Sequence, residues 1–295
     1  MTGEDGKGYF TEGDSAAVVI SRNSSEGDDR LAQIMAVVIG HLHAAVKEIE
    51  PTQEEWFQAI QFLTKTGHKS DDWRQEFILL SDVLGISMLV DAINNRKPGS
   101  ATETTVLGPF HVENPPVRKN GANICLDGKG EPLVVHGMVR SVDGEAIEGA
   151  SLDVWQANYD GYYDVQQKGI QPDSNLRGLF YSQKDGGYWF RAVKPRHYSI
   201  PDDGPVGGLL EKLGRHPYRP AHLHYIVGAD GYEEVTTHIF VPDDPYINSD
   251  AVFGVKESLL ADFVKVDDPA QAENFGVANP FWKVEFDFVL APMPS

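Results

Sequence analysis

The spacing of apolar residues in roughly the first hundred positions is that of amphipathic helices. Apolar residues recur every three or four positions, which places them on one face of each helix. Thr52 and Glu55 have the spacing of a capping box and mark the start of a helix. The segments predicted to be helical are 13–21, 29–49, 52–66 and 70–94.

Beyond residue 105 the pattern changes to short β-prone runs separated by turns rich in glycine, proline and aspartate. Strands that follow one another without intervening helices favour an antiparallel sandwich or barrel. The predicted strands are 133–140, 151–158, 187–194, 221–228, 234–241 and 282–291. Two further helices are expected at 207–214 and 254–263.

The two patterns together predict an α+β protein, with an antiparallel β-sandwich preceded by an N-terminal α-helical lobe. Residues 1–27 are expected to be largely disordered or to form a short helix. Residues 28–105 are expected to form the helical lobe, and residues 106–295 the β-sandwich domain. The chain of 295 residues is long enough to bury a substantial hydrophobic core in such a domain.

Composition and charge exclude several classes of function. The formal net charge is −19, and an acidic surface repels phosphate backbones and anionic lipid, so neither nucleic-acid nor membrane binding is expected. Cys125 is the only cysteine, which excludes an internal disulfide and is typical of a reducing compartment. No apolar run reaches the length of a membrane span, and the first residues lack a signal-peptide pattern, so we expect a cytoplasmic protein.

The strongest chemical signal is a pair of histidines in the predicted strand 221–228. His222 and His224 are two positions apart, so their side chains point to the same face and both can reach one metal ion. Imidazole suits iron, zinc and copper. His41 and His43 have the same spacing, but on a predicted helix they point to different sides and are interpreted as surface or packing residues. Solvated histidines on a half-buried strand are the alternative for the first pair.

Tyrosines in loops can complete such a site. Tyr162 and Tyr163 follow the predicted strand 151–158, and Tyr198 follows the strand 187–194. A phenolate is a hard, anionic oxygen donor, which favours Fe(III) over Fe(II) or Zn(II). The alternative is ordinary tyrosine packing at the ends of strands.

These segments resemble the intradiol ring-cleavage dioxygenases, non-haem Fe(III) enzymes that open catechols between the two hydroxyl-bearing carbons. The resemblance extends from about residue 31 to residue 292 and is carried by LGPF at 107–110, DVWQAN at 153–158 and RPAHLH at 219–224. It implies one Fe(III) per subunit, held by Tyr163, Tyr198, His222 and His224. Tyr163 is preferred to Tyr162 because the family's ligand lies two residues after the glycine that matches Gly161.

Within that family the chain is most similar to the members that cleave hydroxyquinol (1,2,4-trihydroxybenzene), chiefly through residues 76–85. The implied substrate-binding residues are Leu79, Asp82, Val106, Leu107, Gly108, Pro109, Phe110, Ile200, Pro201, Arg219, His238 and Val252. Asp82 stands where catechol-cleaving relatives tend to have a non-acidic residue, and its carboxylate can accept a hydrogen bond from the third ring hydroxyl. His238 stands where they commonly have glutamine, and it could also compete for the metal.

The implied reaction is cleavage of hydroxyquinol by O2 to 3-hydroxy-cis,cis-muconate, the enol form of maleylacetate. In this reaction Tyr198 leaves the metal and takes up substrate protons, and Arg219 stabilises the negative charge that develops. The resemblance also implies a homodimer formed through the N-terminal helices. Relatives hold a lipid between these helices, which the residues alone would not predict.

Three alternatives stay open. The substrate could be catechol or a chlorocatechol. His222, His224 and His238 could instead form a cupin-like Zn or Fe(II) site, although no glutamate follows the histidine pair closely. The chain could also be a non-enzymatic β-sandwich binding module, which would leave the loop tyrosines unexplained.

Overall fold

The structure is a computed structural model that describes residues 9–23, 28–72, 74–97 and 99–294. These described residues fall into two compact units, one within Met1–Lys65 and the other within Thr66–Ser295. Helices and sheets are both present, and the predicted α+β class with a helical N-terminal region is confirmed. Much of the segment predicted to be disordered, residues 1–8 and 24–27, lies outside the described residues. The predicted domain boundaries stay predictions.

The first unit is helical. It contains α1 (Ser15–Ser21), α2 (Asp29–Ile49) and most of α3 (Gln53–Lys69). Helix α2 begins at a cap, where the Asp28 side chain accepts a hydrogen bond of 2.9 Å from the Leu31 backbone N–H. The predicted capping box opens α3: the Thr52 N–H donates to Glu55 Oε2 at 2.8 Å and the Glu55 N–H donates to Thr52 Oγ1 at 3.2 Å. Local apolar spacing and capping therefore suffice to locate these helices.

The segment 70–94 forms two helices, so the prediction of one continuous helix was wrong. The two are α4 (Glu76–Val83) and α5 (Ile86–Asn94). Gly85 separates them with a φ of +73°, a left-handed conformation that interrupts the helical backbone. The apolar spacing continues across the break, which is why periodicity did not reveal it. Among the described residues, no helix combines the length and the apolar character that crossing a bilayer requires.

The second unit also contains the sheets, the helices α6 (Pro205–Lys212) and α7 (Pro269–Phe275), and a short 3-10 turn at Glu257–Leu259. Its strands are β1 (Pro132–Ser141), β2 (Ser151–Trp155), β3 (Arg177–Tyr181), β4 (Gly187–Val193), β5 (Tyr198–Ser199), β6 (Tyr218–Arg219), β7 (His222–Gly228), β8 (Val235–Phe240), β9 (Val264–Val266), β10 (Phe281–Glu285) and β11 (Phe288–Leu290).

Two larger sheets form the sandwich. One has four antiparallel strands in the order β3-β2-β7-β8. The other has five strands and is mixed, because β1 pairs antiparallel with β4 and parallel with β10 and β11. Strands β5 and β6 form a separate two-stranded sheet. Residues from both larger sheets pack into one hydrophobic core, to which β7 contributes Leu223, Tyr225 and Val227.

Other segments also differ from the prediction. The helix expected at 254–263 is absent apart from its short turn, because the Ala261 N–H donates to the Phe240 carbonyl and draws this segment along β8. The strand expected at 282–291 is divided into β10 and β11. Phe286 lies at the division, and its carbonyl accepts a 2.7 Å hydrogen bond from the Tyr188 hydroxyl. Strands β3, β5, β6 and β9 and helix α7 were not predicted.

Candidate active site

Strand β7 brings His222 and His224 to the face opposite its core residues. The two side chains are almost completely buried, at 2% and 1% exposure. Their Nε2 atoms lie 3.1 Å apart. Alternation along the strand therefore produces a converging pair of imidazoles, supported from behind by the hydrophobic core.

Two loop tyrosines lie beside this pair. The Tyr163 hydroxyl is 2.8 Å from His224 Nε2, and the side chain is buried. The Tyr198 ring centroid lies 5.2 Å from that of Tyr163 and 5.6 Å from that of His222. Tyr162, the neighbouring candidate, is 47% exposed. The structure thus gathers all four predicted metal ligands, Tyr163, Tyr198, His222 and His224, in one place.

The protonation of these side chains suits a metal ion. His222 Nδ1 lies 2.7 Å from the Pro220 carbonyl oxygen, which can only accept, so Nδ1 carries the hydrogen and Nε2 presents a lone pair. Burial first, and Arg219 second, lower the pKa of His222 to about 3. Burial also holds the pKa of His224 well below its usual range. Both imidazoles are therefore neutral donors.

The pKa of Tyr163 shifts in the opposite direction, upwards. Burial, followed by the nearby Tyr198, raises the pKa of Tyr163 well above the ordinary phenol value. A phenolate here consequently needs a compensating positive charge. A cation held by two neutral imidazoles and two phenolates meets that need, so the residues present fit a metal site.

Arg219 supplies a permanent charge next to the histidines. It is 2% exposed, its Nη1 lies 3.5 Å from His222 Nε2, and it pairs in register with Tyr198 across β5 and β6. Two hydrogen bonds, of 3.1 and 3.2 Å, join its guanidinium to both carboxylate oxygens of Asp250. Burial opposes the charge on Arg219, but Asp250 outweighs it and raises the pKa of the arginine above its already high value.

His238 faces His224 across β7 and β8. It is completely buried, and its Nε2 lies 2.7 Å from His224 Nδ1. Its other nitrogen, Nδ1, lies 2.7 Å from Thr105 Oγ1. Among the described residues, His222, His224 and His238 form a group whose potential ligand atoms all lie within 4.8 Å of one another. Both ring nitrogens of His238 already have partners, which argues against the cupin-like triad.

A cavity of about 1170 Å³ in the second unit opens onto Tyr198 and Arg219. It has the size of a small-molecule site. Eleven of the twelve predicted substrate-binding residues line it: Leu79, Asp82, Val106, Leu107, Gly108, Pro109, Phe110, Ile200, Pro201, Arg219 and Val252. The twelfth, His238, is not among the lining residues.

Asp82 is the acidic group of interest in this cavity. Burial raises the pKa of Asp82, while the Ser87 hydroxyl and Arg219 partly offset the shift. Ser87 also lines the cavity, and its Oγ lies 2.8 Å from Ser81 Oγ. Asp82 is therefore a partly desolvated carboxylate within the electrostatic reach of the active-site arginine.

Sequence reasoning missed four residues that shape the site. They are Ser87 beside Asp82, Asp250 on Arg219, Thr105 on His238, and Trp155, whose ring stacks on that of His224 with a centroid separation of 4.6 Å. Asp250 and Thr105 carry no local signal, since their partners lie 31 and 133 residues away. Trp155 lies within a motif that the resemblance used, but no role was inferred for it.

Two family models match the chain. The model described as "Dioxygenase" matches residues 106–292. The model described as "Catechol dioxygenase N terminus" matches residues 28–102.

Individual relatives agree with these models. The hydroxyquinol 1,2-dioxygenase of Rhizobium sp. (strain MTP-10005) is 64% identical over 98% of each chain. The 6-chlorohydroxyquinol 1,2-dioxygenase of Cupriavidus pinatubonensis is 48% identical, over 93% of this chain and 95% of the relative. The crystal structure of hydroxyquinol 1,2-dioxygenase from Pseudomonas putida DLL-E4 superposes with a TM-score of 0.90 at 44% identity, covering 95% of this chain and 98% of that one.

The likeness covers nearly the whole chain, so it includes both the helical region and the β-sandwich with its buried donors. It excludes the non-enzymatic binding module, because the protein is an enzyme of the same kind as these relatives. With its family models, its relatives and its buried cluster of possible metal ligands in agreement, the chain belongs to the intradiol ring-cleavage dioxygenase family.

Proposed function

We propose that this enzyme cleaves hydroxyquinol with O2 between the two adjacent hydroxyl-bearing carbons, giving 3-hydroxy-cis,cis-muconate, the enol form of maleylacetate. The observation that carries the proposal is the position of Asp82, a partly desolvated carboxylate in the cavity that opens onto Tyr198 and Arg219. Hydroxyquinol differs from catechol by one hydroxyl group, and a partly desolvated carboxylate is a strong acceptor for it. The relative at 64% identity bears the name of this activity.

We further propose that the metal is Fe(III), one per subunit, held by Tyr163, Tyr198, His222 and His224. Two phenol oxygens among the donors support a ferric ion, since hard anionic ligands favour the higher charge. When bound, the ion supplies Lewis acidity and a template for the two adjacent substrate oxygens.

Three residues of the protein have separate roles in this reaction. Tyr198, which lines the cavity, would take up a substrate proton at its phenolate oxygen and become a neutral phenol. Arg219 cannot lose its charge and stabilises negative charge that develops on the substrate. Phe110 lines the cavity and stacks on Tyr163 at a centroid separation of 4.7 Å, which holds that ring in place.

Oxygen uptake tests the substrate. Purified protein is supplied with hydroxyquinol, catechol and chlorocatechols, and each product is identified by absorbance and mass. We expect kcat/KM for hydroxyquinol to exceed that for catechol about tenfold, because catechol has no third hydroxyl to donate to the partly desolvated Asp82. Faster turnover of catechol or a chlorocatechol would establish the alternative substrate.

Metal analysis tests the ligands. The wild type is expected to contain iron and to show a visible phenolate-to-iron absorption band. Tyr163→Phe should lower iron affinity by more than the roughly tenfold to hundredfold that is typical of losing a residue hydrogen-bonded to a metal ligand. Tyr198→Phe should mainly slow turnover. Tyr162→Phe is the control, since Tyr162 is 47% exposed. A colourless protein that binds stoichiometric zinc, or retention of iron and activity in both ligand variants, contradicts the proposed centre.

We also propose that the enzyme is a homodimer formed through its N-terminal helices and that a lipid lies between them. Helix α2 supports the dimer, because none of its residues is buried in the single chain although it carries an apolar stripe. Mass spectrometry of denatured protein tests for the lipid.

The single cysteine, Cys125, supports a cytoplasmic location.

A further inference from the structure

We propose that His238 and Thr105 form an outer hydrogen-bond chain that fixes the tautomer and orientation of His224, which makes His238 a positioning residue rather than a metal ligand or a substrate contact. This inference rests on the metal centre of the proposed function, because it concerns how one of its donors is held.

The geometry of the chain follows from the sheet. His224 on β7 and His238 on β8 are direct cross-strand partners, and His238 Nε2 lies 2.7 Å from His224 Nδ1. Thr105 is 3% exposed, its hydroxyl lies 2.7 Å from His238 Nδ1, and its backbone N–H donates to the Thr236 carbonyl of β8 at 2.9 Å. Backbone pairing therefore brings the three side chains within hydrogen-bond distance of one another.

Two hydrogen-bond directions are compatible with these distances. In the first, His224 Nδ1–H donates to His238 Nε2, and His238 Nδ1–H donates to Thr105 Oγ1. In the second, the Thr105 hydroxyl donates to His238 Nδ1, and His238 Nε2–H donates to His224 Nδ1. Only the first direction leaves a lone pair on His224 Nε2, the nitrogen that faces His222 Nε2 and the Tyr163 hydroxyl. A metal held at that nitrogen therefore requires His238 to accept the hydrogen bond.

Stacking alone would leave the orientation of His224 undetermined. Trp155 stacks on the His224 ring with an interplanar angle of 13°, which restricts the plane of the imidazole. A half-turn of the ring about its Cβ–Cγ bond returns it to the same plane and exchanges nitrogen and carbon positions with almost no change of shape. The His238 acceptor removes this degeneracy, because only one orientation satisfies Nδ1.

His238 is poorly placed to be a ligand. Its Nε2 approaches His224 on the Nδ1 side, and the two nitrogens of an imidazole point in different directions. A group bound at Nδ1 is thus directed away from an ion at Nε2. Binding the ion through Nε2 would require His238 to give up its 2.7 Å contact with His224.

The test compares His238→Gln with His238→Leu. The glutamine amide oxygen can accept from His224 Nδ1–H, whereas leucine cannot. We expect His238→Leu to lower iron affinity about tenfold to hundredfold, as measured by competition with a chelator, and to shift the visible phenolate-to-iron band. His238→Gln should restore both toward the wild type. Equal iron affinity and an unchanged band in His238→Leu overturn the proposal, as does a folded His238→Gln that loses iron like the leucine variant.

A second pair of variants covers the case in which His238→Leu does not fold. Thr105→Val keeps the shape of the side chain and removes the acceptor for His238 Nδ1–H, while Thr105→Ser keeps the hydroxyl. Iron affinity should fall several-fold in the valine variant and stay at the wild-type value in the serine variant; equal affinities overturn the proposal. Failure of the wild type to bind iron would instead refute the metal centre itself, so the two failures are distinguishable.

Discussion

At the scale of single residues, burial and pairing determine which groups in the cavity are charged. Arg219 and Asp250 are both buried and keep their charges because each neutralises the other through two hydrogen bonds. Asp82 lacks a cationic partner at hydrogen-bond distance in the described structure and shows the raised pKa of a desolvated acid. The cavity therefore presents a fixed positive charge and, beside Ser87, a carboxylate that can accept a further hydrogen bond from a ligand.

Replacing Asp82 tests its role in specificity. Asp82→Ala should lower kcat/KM for hydroxyquinol about tenfold to hundredfold, because the third hydroxyl loses a charged acceptor. Turnover of catechol, which lacks that hydroxyl, should change little and serves as the internal control. The measurement is oxygen uptake with both substrates, and a parallel loss with catechol would assign Asp82 a structural role.

Asp250 should make stability depend on pH. Burial alone would raise the pKa of Asp250, but Arg219 reverses the effect and lowers it. The stability that Asp250 contributes is thus fully present above the unfolded value of about 3.9 and is lost as pH falls through the folded pKa. Asp250→Asn should cost about 3–5 kcal/mol at neutral pH, because it leaves Arg219 buried without a carboxylate.

Urea unfolding of the wild type and Asp250→Asn at several pH values provides the measurement. The difference in unfolding free energy should be constant near neutral pH and should shrink below about pH 4. A difference that does not change with pH would show that the ion pair is not its source.

At the scale of elements, the break between α4 and α5 positions the helical wall of the cavity. Helix α4 carries Leu79 and Asp82, and α5 carries Ser87, and all three side chains line the cavity. Gly85 turns the chain between them at φ +73°. A continuous helix through Gly85 would carry the residues of α5, including Ser87, along the axis of α4 instead. The conformation of one glycine therefore decides whether both helices can face the substrate.

Gly85→Ala should destabilise the protein by about 1–2 kcal/mol, since an L residue pays that cost in the left-handed region. An added Cβ would also lie 3.4 Å from the Phe253 ring. Gly208→Ala is the matched control: Gly208 lies inside α6 with open space around it, so alanine should stabilise by about 0.5–1 kcal/mol. Urea unfolding measures both, and equal effects of the two substitutions would refute the explanation.

At the scale of the whole molecule, exposed apolar residues of α2 support the proposed homodimer. Leu42, Val46 and Ile49 are 60%, 56% and 70% exposed. They belong to the apolar stripe of a helix that buries none of its residues in the single chain. A chain with a net charge of −19 is not expected to associate by chance, so a specific partner surface is needed to cover this face.

Leu42→Lys should weaken the dimer by at least about tenfold, because a charge would have to be desolvated in an apolar interface. Leu213→Lys is the control: Leu213 is 59% exposed and directly follows α6 in the second unit. Light scattering and sedimentation at micromolar concentrations give the measurement. A monomeric wild type under these conditions would refute the dimer.

What the sequence determined by itself is local. The bounds of α2 follow from its apolar stripe and the Asp28 cap, and the common face of His222 and His224 follows from the alternation of a strand. The loop tyrosines were candidates from their positions after strands, and the resemblance selected Tyr163 and added most of the cavity lining. The helix bounds and the shared histidine face depend on residues a few positions apart, where backbone geometry alone fixes which side chains share a face.

Only the tertiary structure decided which distant residues meet. Thr105 reaches His238 across 133 positions, and Asp250 reaches Arg219 across 31, through sheet pairing and loop packing that no short window contains. The same holds for His238, which the resemblance associated with substrate and the register of β7 and β8 places behind His224. Side-chain periodicity is a property of neighbouring residues, whereas hydrogen-bond partners and desolvation depend on the complete packing of the chain.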